Sequence, residues 1–269
     1  MAAPSLGLIW ALAAIGQFGG VEGVAPRRGP LIVSGADPAR GVLVNVARGA
    51  RPTDPIDPGR PTLVFVHGIN PAPGLVHFGM GRSVGEALAT RPGGPGINAL
   101  EWDWNAATIV GLRHRANSEA AIAQGRALAH ALRSAGVDPG RLHLVGHSAG
   151  GMVAASAAHE LFERGGGTVA QVTLLESAGF YHDVLFEEIR AVGSAARVEN
   201  YWAPGPGGFG GPARVAGVVD VPVYVHAPLS GAVRPSRSGH LAIVRWYVGT
   251  VADPSLPLGF NTSLLLAQP

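Results

Sequence analysis

The segment Gly-His-Ser-Ala-Gly at residues 146–150 has the residue types and spacing of a turn that presents a nucleophilic serine. Residues 142–145 before it are typical of a short buried strand, and residues 152–163 after it have a helical pattern. A sharp turn from strand to helix leaves no room for flanking Cβ atoms, which accounts for the two glycines. The helix would direct unpaired N–H groups at a developing oxyanion. Ser148 is therefore predicted to be the nucleophile of an acyl-transfer reaction.

Alternating strands and helices are predicted around this motif, and most of the strand candidates are unbroken apolar runs typical of a sheet buried on both faces. Strands are expected at 41–47, 62–67, 97–102, 142–146, 169–175, 197–202 and 221–226. Helices are expected at 81–90, 118–135, 150–164, 183–192 and 241–251. The alternation predicts an α/β fold with a mostly parallel, doubly wound sheet flanked by helices.

The order of the motifs resembles the α/β-hydrolase superfamily, and within it the pancreatic-type lipases. The matching segments are the strand and His-Gly at 62–68, INALEWDW at 97–104, RLHLVGHSAGG at 141–151 and VTLLESAGF at 172–180. The resemblance implies an α/β-hydrolase fold and a serine esterase or lipase with a catalytic triad and an oxyanion hole.

Four departures from the lipase pattern change the expected substrate. Glu176 stands where the family usually has aspartate, and the chain has no cysteine. Only the glycine-rich loop 203–212 stands where those lipases carry a lid, and no lipid-binding domain is expected after residue 251. We therefore expect a smaller, esterase-like site.

The oxyanion donors implied by the resemblance are two backbone N–H groups. One comes from the residue after the nucleophile and the other from the loop after an earlier strand. The strand 62–66 ends in His67-Gly68, where glycine permits a tight turn. The N–H groups of Ile69 and Ala149 are the candidate pair, and each such donor stabilises a tetrahedral intermediate by about 3 kcal/mol. His67 itself is interpreted as structural.

The general base is predicted to be His240. In this fold the base follows the nucleophile on a C-terminal loop, which selects His226 and His240 among ten histidines. His226 ends an apolar strand candidate and is typical of a core or rim histidine. His240 follows the small, polar segment 235–239 and enters a helix, so we favour it.

The acid of the triad is predicted to be Glu176. Catalytic groups gather at the carboxyl ends of parallel strands, and Glu176 directly follows the strand after the nucleophile. The alternatives are Asp183, which is suited to cap a helix, Glu199, which lies inside its strand, and Asp220, which precedes its own.

Composition argues against nucleic-acid binding, disulfide bonds and metal or cofactor sites. The net charge is +2, from 20 basic and 18 acidic residues, and no long basic run exists to bind nucleic acid. The absence of cysteine removes disulfides and cysteine-based zinc sites. No His, Asp and Glu cluster has metal-ligand spacing, so neither a metal nor a cofactor is expected.

The N-terminus contains ten apolar or small residues, 6–15, and the first basic residue is Arg27. This run is too short to span a membrane but long enough for the core of a signal peptide. A packed element and a misplaced start codon are the alternatives, so export and a cytoplasmic location both stay open. We expect a signal peptide or extension at 1–25, a hydrolase domain at 30–255 and a C-terminal tail at 256–269, without a stable membrane span.

Together these residues predict hydrolysis of a carboxylic ester through an acyl-enzyme on Ser148, with a small-molecule or lipid-like acyl ester as substrate. A thioesterase, amidase or lactonase on the same fold stays open. So does a non-catalytic binding scaffold, and the oligomeric state is not predicted.

Overall fold

The computed structural model describes residues 41–69, 79–108, 114–177, 190–204, 208, 210–224 and 239–267. Its seven strands are β1 Val42–Asn45, β2 Thr62–Val66, β3 Asn98–Asp103, β4 Leu142–His147, β5 Val169–Leu175, β6 Ala195–Trp202 and β7 Val218–Pro222. They form one sheet in the order β1-β3-β2-β4-β5-β6-β7. β1 is antiparallel to β3, and the other neighbours are parallel.

Helices cover both faces of the sheet. The described helices are α1 Met80–Thr90, α2 Asn105–Thr108, α3 His114–Ser134, α4 Gly150–Glu163 and α5 Gly239–Ala252. α3 and α4 pack in one buried cluster with Val64 and Val66 of β2. α1 and α5 pack in the other with Leu63 and Phe65 of the same strand. Because neighbouring side chains on a strand point to opposite faces, an unbroken apolar strand supplies both cores.

The strand order confirms the predicted fold class, an α/β-hydrolase fold with a mostly parallel, doubly wound sheet. β2 lies between β3 and β4, so the chain leaves β2 toward one edge of the sheet and then crosses over to build the other half. Strand order reverses here, and ligand sites of open α/β sheets lie outside the carboxyl ends of strands at such a point. The segments that follow β2 and β4 therefore flank the expected site.

Some predicted boundaries differ from the observed ones. The last strand was expected at 221–226 but lies at 218–222, so Asp220 is inside β7 instead of before it. α3 begins at His114, four residues earlier than expected. Most of the helix expected at 183–192 lies outside the described residues, and residues 190–192 form a turn and a bridge. The segment 1–25 also lies outside the described residues.

The segment after residue 255, expected to be a tail, folds back onto the α1–α5 face. It forms two short 3-10 turns, Gly259–Thr262 and Leu264–Ala267, and buries Phe260 and Leu265. The guanidinium of Arg91 lies 5.2 Å from the centre of the Phe260 ring. The same group donates to the carbonyls of Thr250 and Val251 at 3.1 Å each, so it joins the segment to the end of α5.

Truncation of this segment's buried ring is expected to destabilise the whole domain. Phe260→Ala removes a fully buried aromatic side chain and should lower the free energy of unfolding by about 3–5 kcal/mol. Leu266→Ala, at a side chain that is 38% exposed in the same segment, should change it by less than about 0.5 kcal/mol. Urea denaturation measures both, and equal small effects would contradict the packing described.

Candidate active site

Ser148 is the first residue after β4 and has a left-handed backbone, with φ of 54°. A Cβ on Gly146 would lie 2.3 Å from the carbonyl oxygen of Gly150. A Cβ on Gly150 would lie 2.3 Å from the carbonyl oxygen of Val66 and 2.6 Å from that of His67. Both glycines are thus required by close backbone approach. A left-handed non-glycine residue costs about 1–3 kcal/mol, and such strain is concentrated at functional sites.

The backbone of Ser148 is tied to the next strand. Its N–H donates to the carbonyl of Leu175 at 3.0 Å, which extends the β4–β5 ladder one residue beyond β4. Its carbonyl accepts the hydroxyl of Ser177 at 2.9 Å. Ser148 is therefore held beside Glu176, the residue that separates these two partners.

The loop after β2 approaches the serine closely. A Cβ on Gly68 would lie 2.8 Å from the Cβ of Ser148 and 3.2 Å from the carbonyl oxygen of His147, so only glycine fits without a shift. Ile69 follows, partly buried against the α3–α4 core, and Ala149 is the N-cap residue of α4. The two candidate oxyanion donors therefore belong to the residues that directly follow Gly68 and Ser148, which lie against each other.

His67 is locked to Trp104, the residue after β3. Nε2 of His67 accepts the backbone N–H of Trp104 at 3.1 Å, and the Trp104 indole N–H donates to the His67 carbonyl at 2.8 Å. Since Nε2 accepts, the hydrogen lies on Nδ1, which donates to the Gly68 carbonyl at 2.7 Å. In a trans peptide the carbonyl and the N–H point in opposite directions. The N–H of Ile69 is therefore directed away from the His67 ring.

Glu176 is the first residue after β5 and also has a left-handed backbone, with φ of 52°. Its side chain is buried, and its backbone N–H donates to the carbonyl of Tyr201 at 2.9 Å. The two carboxylate oxygens accept backbone N–H groups of the glycine-rich loop, from Ala203 at 2.5 Å and from Gly210 at 3.0 Å. Glu176 therefore holds that loop at two points, its first residue and Gly210.

His240 lies at the start of α5 and contacts this carboxylate. Its Nδ1 is 3.5 Å from Oε2 of Glu176, and both side chains are largely shielded from solvent. Burial alone would raise the pKa of Glu176, but the nearby His240 and the backbone N–H groups of Ala203 and Gly210 outweigh burial and hold that pKa below its ordinary value. The acid is consequently ionised at neutral pH and faces His240 as an anion.

The alternative acids are engaged elsewhere or lie outside the described residues, as Asp183 does. Asp220 accepts from Asn200 and from the backbone N–H groups of Ala213 and Arg214, at 2.7–2.9 Å. Glu199 is fully buried in β6 and accepts from four side chains, those of Gln171, Arg197, Tyr201 and Thr262. The alternative base, His226, lies outside the described residues.

Sequence reasoning missed two contributors to this arrangement. His147 was treated only as an elbow residue, yet its ring packs against that of His240, with centroids 4.5 Å apart. The glycine-rich loop was considered only as the segment that stands where lipases carry a lid, yet its N–H groups bind Glu176. A histidine directly before the serine was a usable signal for the first, but nothing in the sequence indicated the second.

Two negative findings apply to the described ranges. No group of three or more histidine, aspartate or glutamate side chains there is placed to hold a metal ion. None of the helices described is both long and apolar enough to cross a membrane.

No protein-family model matches the chain, and no curated protein matches its sequence. A solved esterase from Pyrobaculum calidifontis is 17% identical, with a TM-score of 0.41, over 79% of this chain and 84% of that one. The RedJ thioesterase from the prodiginine biosynthetic pathway in Streptomyces coelicolor is 16% identical, with a TM-score of 0.43, over 75% and 90%. An esterase from the Planctomycetes species Thermogutta terrifontis is 15% identical, with a TM-score of 0.39, over 68% and 75%. Similarities at these identities and TM-scores carry no argument about the reaction, which has to be inferred from the residues of the site.

Replacement of Gly150 by alanine is expected to disrupt the elbow, although alanine normally stabilises a helix. The new Cβ would collide with two backbone carbonyls that cannot move without displacing β2. We expect Gly150→Ala to lose several kcal/mol of stability or to fail to fold. Gly249→Ala in α5, where a Cβ meets nothing within 4 Å, should be neutral or gain up to about 1 kcal/mol. Thermal unfolding measures both, and a harmless Gly150→Ala would contradict the close approach.

Proposed function

We propose that this protein is a serine hydrolase that cleaves carboxylic esters through an acyl-enzyme on Ser148. The observation that carries the proposal is the buried His240–Glu176 pair, 3.5 Å apart, beside a left-handed serine at the same edge of the sheet. A nucleophile, a base and an orienting acid at one edge of the sheet are the parts that acyl transfer requires.

His240 serves as the base in this mechanism. Its Nδ1 faces the Glu176 carboxylate, so we assign to its Nε2 the role of accepting the proton of the Ser148 hydroxyl. As the serine oxygen attacks the acyl carbon, that proton moves to His240, and the Glu176 anion stabilises the resulting imidazolium. His240 then returns the proton to the leaving alcohol, and the carbon–oxygen bond of the ester breaks to leave the acyl-enzyme.

The oxyanion of each tetrahedral intermediate is assigned to the N–H groups of Ile69 and Ala149. The orientation of the Gly68 carbonyl toward His67 supports this role for Ile69, and the start of α4 supports it for Ala149. Water then attacks the acyl-enzyme, and His240 takes its proton and passes it to the Ser148 oxygen. The products are a carboxylic acid and the free serine.

The substrates we propose are small, soluble acyl esters, with lipid-like esters as a less favoured class. The motif order that resembles pancreatic-type lipases supports an acyl ester. The loop 203–212 is not expected to open as a lid, because two of its N–H groups bind the carboxylate of the catalytic acid, Glu176. Thioesters, amides and lactones place an acyl carbon at the same serine and are tested in parallel.

Ser148→Ala should abolish hydrolysis of p-nitrophenyl butyrate, because it removes the nucleophile and leaves the fold unchanged. Stopped assays on the matching thioester and anilide identify the preferred leaving group. Ser177→Ala, which removes a neighbouring hydroxyl that donates to the Ser148 carbonyl, is the control and should retain most activity. Turnover by Ser148→Ala equal to the wild type would refute the proposal.

Glu176→Gln should lower kcat strongly, by up to about 10⁴-fold, since a neutral amide neither orients His240 nor stabilises its cation. Asp220→Asn and Glu199→Gln, which alter carboxylates engaged elsewhere, should change kcat in folded protein by less than about tenfold. Thermal unfolding of each variant separates lost folding from lost catalysis. If Glu176→Gln stays near the wild type while another variant collapses, that residue is the acid.

A further inference from the structure

His147 lies between the two halves of the site and has no role in the mechanism above. Its ring is buried, and a Cβ on Gly68 would lie 3.4 Å from its Nδ1. On its other side, the ring is tilted by 42° against that of His240. The residue that precedes the serine is thus in contact with Gly68, in the loop after β2, and with His240, the base.

One hydrogen bond defines the orientation of His147. Its Nε2 lies 2.9 Å from the backbone carbonyl oxygen of His240. A carbonyl only accepts, so Nε2 carries the hydrogen and donates. Burial, followed by the proximity of His240, holds the pKa of His147 well below its ordinary value, so the ring is neutral. A neutral ring adds no positive charge beside a base that must itself become cationic.

The accepting carbonyl belongs to the second residue of α5, so it lies at the N-terminal end of the helix that carries the base. The ends of a helix are prone to fray, and the first turn of α5 is one of them. At the opposite end of α5, the carbonyls of the last turn accept hydrogen bonds from Arg91. The bond from His147 is the corresponding anchor at the catalytic end, and it starts one residue before the nucleophile.

We propose that His147 is a positioning residue that holds the His240 backbone, and through it the imidazole, in register with Ser148. The inference rests on the proposed function, because it assigns His240 as the base. It differs from a packing role in that the N–H donor, and not the ring volume, carries the effect. Displacement of a catalytic group by about 1 Å can cost about 10²-fold in rate.

Three substitutions separate donor from ring. His147→Gln places an amide nitrogen near the Nε2 position, His147→Asn has the same chemistry but is too short, and His147→Phe keeps a ring without a donor. We expect kcat for p-nitrophenyl butyrate to fall by about 10–100-fold in the Asn and Phe variants, with KM within about threefold of the wild type. The Gln variant should retain kcat within about threefold.

Thermal unfolding is measured on the same samples, and Gln and Asn are expected to have similar midpoints despite different kcat values. Equal impairment of Gln and Asn, or unimpaired Asn and Phe variants, would overturn the positioning role while the proposed function stands. A fall in kcat that follows the fraction unfolded would overturn it as well. If the wild-type protein hydrolyses no ester, thioester or anilide, the proposed function fails first, and the inference fails with it.

Discussion

The close approach of the first turn of α4 to the end of β2 is the constraint on which the rest of the site depends. A Cβ on Gly150 would lie 2.3 Å from the carbonyl oxygen of Val66, so the two backbones touch without a side chain between them. This contact fixes the turn at Ser148 in its left-handed conformation and brings Gly68 against the serine. Close packing of backbone on backbone cannot relax by a rotamer change, so the position of β2 determines the position of Ser148.

The Glu176 carboxylate fixes the position of a second group of residues, those around the His240 imidazole. A buried carboxylate is costly unless hydrogen bonds satisfy it, and here two backbone N–H groups do so while Nδ1 of His240 lies 3.5 Å away. Because Ala203 and Gly210 belong to one glycine-rich loop, one side chain orders the loop and the imidazole together. β4 and β5 thus end in the same way, each followed by a left-handed residue, Ser148 or Glu176, to which we assign a catalytic role.

The sequence was sufficient for features set by local pattern. The apolar runs defined the strands and the fold class, and the glycines around Ser148 indicated the elbow because only glycine fits there. The pairing of His240 with Glu176, 64 residues apart in the chain, could be predicted only from strand order, and the structure places them in contact. What the sequence could not give was set by tertiary contacts. Asp220 was placed before its strand because an apolar run marked a later start, and the His147–His240 contact depends on where α5 docks.

Covalent labelling tests the central claim, that Ser148 is an activated nucleophile, most directly. Folded protein is incubated with diisopropyl fluorophosphate, and the adduct is weighed in the intact chain and located in its peptides by mass spectrometry. The account predicts one adduct per chain, on Ser148, with loss of fluoride and with no labelling when the protein is unfolded beforehand. Absence of an adduct on the folded protein, or an adduct on a different serine, would contradict it.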